Sequence, residues 1–165
     1  MDLIKLRHSV TDYKQYRLQL QALVQKMINL RSQLTYHSQE LLSGNVGGSL
    51  RASKLSCMVH SQYRDVAVES AVLKSQLISV VQFMKESVCF GRCDPAVVAL
   101  DFDYLKGFVS SVEQQLVLEL SIADHLSDLD NVTEHDQMVT MMACYEYSPY
   151  LRLEDLDAVS TMIAL

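Results

Sequence analysis

The chain has 165 residues, 49% of them hydrophobic and 21% charged, so it is the size of one domain with a core of its own, and global disorder is excluded. Five glycines and two prolines are too few for the turns of an all-β protein of this length, and the apolar run "AVVAL" is far short of the ~20 residues of a membrane span. The net charge of −6 hides a split: residues 1–92 carry 12 Lys/Arg against 6 Asp/Glu, and residues 93–165 carry 2 against 14. Such halves either attract each other within the fold or face different partners. The basic residues are spread along helices rather than clustered, which argues against a nucleic-acid binder.

The first predicted element is a helix over 2–43. Tyr16, Leu20, Leu23, Met27, Leu30, Leu34, His37 and Leu41 recur at spacings of four and three, a seam of the coiled-coil kind. Leu3, Leu6, Val10 and Tyr13 follow the same spacing, with a phase change expected at Tyr13/Tyr16. A histidine on such a seam, here His37, is more often a packed core residue than a catalyst. At 1.5 Å per residue this helix spans ~60 Å and is expected to outrun the others, leaving part of its seam uncovered. Tyr16, Leu20, Leu23, Met27, Leu30, Leu34 and Leu41 are therefore the expected partner-binding residues.

"SGNVGGSLRAS" ends this helix, and residues 44–53 are expected to be a linker. The stretch lacks the Gly-Lys-Ser/Thr ending of a phosphate-binding loop and follows a helix rather than a strand. A second helix is predicted over 54–90, with Val59, Val66, Leu73, Leu77, Val80, Met84 and Val88 on one face and Gln62 and Ser70 interrupting it. Gly91, Asp94 and Pro95 read as a stop, an N-cap and a first helical residue. Cys89 and Cys93 flank that corner without the further ligands a zinc site needs.

A third helix is predicted over 95–130, with Val98, Phe102, Leu105, Val109, Val112, Leu116, Leu120 and Ala123 inside. Asp101, Asp103, Glu113, Glu119 and Asp124 fall outside that stripe, and Gly107 suggests close approach of a neighbouring helix. His125, Asp128, Glu134, His135 and Asp136 have cation-binding chemistry, but their spacing fits neither an EF-hand nor a His-Glu-x-x-His helix. Thr133 with Asp136 reads instead as the cap of a fourth helix, 134–147, which gathers Met138, Met141, Met142 and Tyr145 on one side. Ser148 is expected to cap a fifth helix over 149–165, with Leu153, Leu156, Val159, Ile163 and Leu165 inward.

The pattern predicts a single all-α domain, an elongated bundle of about five helices built on a long antiparallel hairpin. No cofactor fingerprint and no nucleophile–base–acid set is visible, so the expected function is non-catalytic: a helical scaffold subunit binding protein partners, as a homo- or hetero-oligomer. "MDLIKLRHSV" lacks the apolar core of a secretory signal, and four cysteines without framework spacing suggest free thiols, so the expected setting is intracellular, cytoplasmic or nuclear. On the same grounds "NVT" at 131–133 is not expected to be glycosylated. Two alternatives stand beside this reading: a metal- or small-molecule-binding enzyme using the 125–136 cluster, and a peripheral membrane module using the first helix.

Overall fold

The computed structural model describes residues 3–42, 46–90, 102–129 and 134–164. They form five helices and no strand: α1 (Leu3–Leu42), α2 (Val46–Phe90), α3 (Phe102–Ser127), α4 (His135–Tyr147) and α5 (Leu153–Ala164). The molecule is the expected all-α bundle with a long N-terminal hairpin.

Along α1 the buried positions are Leu6, Val10, Tyr13, Arg17, Leu20, Val24, Met27 and Arg31. Their spacing alternates between four and three without a break, so one helix face stays against α2. The phase change expected at Tyr13/Tyr16 is not there. Two seam positions are arginines, and a count of apolar residues alone skips them. A flanking column, Ser9, Leu23 and Leu30, is also buried.

On α2 the buried face is Val59, Tyr63, Val66, Ser70, Leu73, Leu77, Val81, Met84 and Val88. Tyr63 takes the seam position next to the exposed Gln62, so Ser70 is the true polar interruption, its Oγ buried and without a hydrogen-bond partner.

The expected linker is largely helix. α2 begins at Val46, and Ala52 is buried. A glycine costs a helix only about 1 kcal/mol, less than hairpin packing returns. The corner at 91–101, with Cys93, Asp94 and Pro95, lies outside the described residues, as do Val98, Asp101, Thr133, Leu165 and the side chain of Leu153.

The remaining helices lie against the hairpin: α3 packs on α2 and also touches α1, while α4 and α5 pack on α1. Their buried faces join the hairpin seam in one core, with Leu105, Phe108, Val112, Leu116, Ile122 and Leu126 from α3, Met138 and Tyr145 from α4, and Leu156, Val159 and Ile163 from α5. The cap of α4 is one residue later than expected: Glu134 is the N-cap, and its N–H donates to Gln137 Oε1 at 3.2 Å. Ser148 does not start α5. It ends α4 in the left-handed region, φ 44° and ψ 70°.

The charge split is used inside the molecule. Lys14–Asp157, Arg17–Glu119, Lys74–Asp124 and Lys85–Glu113 each join the basic half to the acidic half.

Candidate protein-interaction surface

The structure buries most of the expected partner seam within the chain itself. Leu20, Leu23, Met27 and Leu30 are core residues, and Tyr16 and Leu34 are half-buried against the same core. The side chain of Leu41 lies outside the described residues. The seam is covered because α2 runs on to Val46 and so matches the length of α1, and because α3, α4 and α5 all lie across α1. Leu20, Leu23 and Leu30 are at most 8% exposed and so offer little surface to a partner.

The same seam carries the most polar part of the interior. Arg17, 3% exposed, donates through Nε to Glu119 Oε1 at 2.7 Å and through Nη2 to the Tyr145 carbonyl at 3.2 Å, and it also bonds Ser148 Oγ. Gln115 Nε2 donates to Glu119 Oε1 at 2.6 Å, and the Tyr145 hydroxyl donates to the Glu119 carbonyl at 2.9 Å. Glu119 is 0% exposed, a correction to its sequence placement on the outer face. Burial pushes its carboxyl above the ordinary carboxylate range, although Arg17 and Gln115 pull the other way. Its Oε2 and the Tyr13 hydroxyl are buried without a hydrogen-bond partner. Burial, with Glu119 next in weight, raises Tyr13 and Tyr145 far above the usual phenol range, so both stay neutral.

Two heptads along α1, Arg31 does the equivalent work on α3. Its Nη2 donates to the Leu126 carbonyl at 3.0 Å and bonds those of His125 and Asp128, and its Nε donates to the Tyr63 hydroxyl at 2.8 Å. A cation therefore caps the helix C-terminus where carbonyls lack partners. Arg17 caps α4 in the same way. The signal in the sequence was two arginines 14 residues apart in an otherwise apolar seam.

The exposed surface differs in character. A groove of about 470 Å³ runs between α1 and α4, with Ile28, Met138 and Met142 as its apolar lining and Gln25, Asn29 and Ser32 on the α1 side. Val139 and Tyr147, 56% and 79% exposed, stand beside it. Glu134, Asp136 and Glu146 are exposed on or next to α4, and 134–147 contains no Lys or Arg. Met141 and Met142 are half-buried, so the methionine side serves both core and groove.

In the expected cation-binding cluster, His125 and Asp136 line one shallow pocket with Gln137, Thr140 and Met141. Among the described residues no three His, Cys, Asp or Glu side chains are placed to hold a metal ion, and the side chain of His135 is outside them. Cys57 and Cys89 are exposed free thiols and Cys144 is a half-buried one. Gly107 faces open space rather than a neighbouring helix: a Cβ there would meet nothing within 4 Å. By length and composition α2 contains one stretch, Arg51–Cys89, that could cross a membrane, although no uninterrupted apolar run marks it.

The chain is thus an all-helical bundle with a buried polar cluster in its interior and exposed large apolar side chains on α1, α2, α3 and α4. No protein-family model, no curated protein and no solved structure matches it.

Proposed function

We propose that this protein is a non-catalytic helical interaction subunit that receives a basic amphipathic helix of a protein partner in the α1–α4 groove. The observation that carries this reading is the methionine-lined groove beside an acidic helix. Methionine is flexible and polarisable, and it packs against varied apolar side chains. The uncharged α1 wall and the acids of α4 favour a ligand whose flanks carry Lys or Arg. The apolar stripe of such a helix would cover Ile28, Met138, Met142 and Val139, the helix-in-groove mode.

The test is affinity capture with the wild-type chain and with Val139→Asp/Tyr147→Ser. Both positions are exposed, so the fold should be unchanged by circular dichroism. A partner bound through a basic helical segment should lose at least about tenfold in affinity for the variant, and its isolated segment should bind the wild type. A partner retained equally by the variant, or bound through an acidic or unstructured segment, would overturn the reading.

A further inference from the structure

The outer face of α2 carries a second apolar stripe. Val68, Ala71, Val72, Ser75, Ile78, Ser79 and Gln82 are all exposed, at spacings of three and four. They lie half a turn round the helix from the buried Val66, Ser70, Leu73, Leu77, Val81 and Met84. No charged residue falls on the stripe. Lys74 and Lys85 lean toward α3, where they pair with Asp124 and Glu113. Val68, Val72 and Ile78 are 67%, 56% and 51% exposed, and only 28% of the most apolar window of α2 is buried. Ala71, Ser75 and Ser79 keep its centre low, and Ser79 Oγ donates to the Ser75 carbonyl at 3.0 Å, tying its polarity to its own helix.

This stripe complements itself. When two copies of α2 lie antiparallel about a two-fold axis at Ser75, Val72 meets Ile78 of the second copy, Ala71 meets Ser79, and Val68 meets the side chain of Gln82. The same axis sets Arg64 against Glu86 of the second copy. Both charges lie on the stripe's side of the helix, at its two ends about 33 Å apart. Arg64 makes no ion pair among the described residues, and Glu86 accepts only a bond from Gln82 on its own helix. The symmetry forms the Arg64–Glu86 pair twice, once at each end, which fixes register and direction.

We propose that the chain forms an isologous antiparallel dimer through the outer face of α2, centred on Ser75 and clamped by Arg64 and Glu86. Small residues at the centre let the two backbones approach closely, so Val72 and Ile78 reach each other across the axis. A contact of one helix pair lies at the small end of stable interfaces, so the dimer is reversible and concentration-dependent. It does not use the α1–α4 groove.

Sedimentation velocity over a concentration series, with circular dichroism as the control for folding, tests this. The wild type should shift from monomer to dimer as concentration rises. Arg64→Glu and Glu86→Arg should each raise the dissociation constant at least about tenfold, because each creates two like-charge contacts per dimer. The double variant Arg64→Glu/Glu86→Arg should return close to the wild-type value. Val72→Glu should give a monomer with unchanged helicity, and Val139→Asp/Tyr147→Ser should still dimerise, which separates this interface from the groove. A wild type that stays monomeric throughout, or a double variant that fails to recover, would overturn the proposal. So would a monomer that floats with phosphatidylcholine vesicles and loses them on Val72→Glu, which would assign the face to a lipid surface.

Discussion

Arg17 and Glu119 form a buried pair whose value depends on both members being present. Removing one leaves the other charged and out of water, at a cost of about 3–5 kcal/mol. Arg17→Met should therefore be strongly destabilising in denaturant unfolding. Arg17→Met with Glu119→Leu should recover most of the loss, because two apolar groups of similar volume need no partner. Glu119 also sets a pH dependence. Its folded-state pKa is raised, so the folded chain holds the proton more tightly than the unfolded one. Its contribution is fully present below the ordinary carboxylate value and is lost as pH rises through the folded value. Compared with Glu119→Gln, which cannot titrate, the wild type should lose relative stability as pH rises above the ordinary carboxylate value of about 4. Thermal midpoints of the two proteins measured as pH rises from that value check the sign. A gap that widened in favour of the wild type would mean that Arg17 outweighs burial.

At the scale of elements, the bundle is held by helix ends as well as helix faces. Arg31 and Tyr63 meet at the C-terminus of α3, and Arg17 meets the Tyr145 carbonyl and Ser148 at the C-terminus of α4. Both caps come from the hairpin, so the end of each helix is satisfied only when it is docked. Ser148 adopts φ 44°, a conformation costing a non-glycine residue about 1–3 kcal/mol, and its hydroxyl donates to the Tyr145 carbonyl at 3.1 Å while Arg17 holds it. Gly107 is the reverse case. It sits inside α3 with open space before its Cα, so Gly107→Ala should raise unfolding stability by about 0.5–1 kcal/mol through helix propensity alone. Urea titration of the variant measures this. A loss instead would mean that a neighbour crowds the position.

Over the whole molecule, ion pairs between the two halves orient α3 and α5 on the hairpin, while the apolar seam supplies most of the stability. Lys14–Asp157, Lys74–Asp124 and Lys85–Glu113 each have at least one well-exposed partner, and such pairs contribute about 0–1 kcal/mol each. Raising NaCl to about 0.5 M should lower unfolding stability by no more than about 2 kcal/mol and leave helicity unchanged. The Arg17–Glu119 pair, shielded from salt by burial, should show the same double-mutant coupling at both salt concentrations. Separation of α3–α5 from the hairpin at high salt would show that charge, rather than packing, holds the two layers together.

The amino-acid sequence alone determined the all-α class, the long hairpin, most helix bounds to within a few residues, and part of the inward faces: Leu105, Val109, Val112, Leu116 and Ala123 of α3 and Leu156, Val159 and Ile163 of α5. Those features follow from apolar periodicity, which acts within one helix and needs no knowledge of neighbours. Periodicity also marked Leu20, Leu23, Met27 and Leu30 as a strong seam. What it could not say is which surface covers them, since an apolar stripe looks the same whether it meets its own chain or another. Only the tertiary structure decided that α2, α3, α4 and α5 cover the α1 seam and that the outer face of α2 and the α1–α4 groove stay open. It also placed Arg17, Arg31 and Glu119 inside. A charged side chain is read as outward from sequence because burial is costly, and that rule fails where a partner from more than 90 residues away satisfies the charge. Ser148, read as the start of a helix, ends one instead, and its hydroxyl is held both by the Tyr145 carbonyl three residues back and by Arg17 from α1.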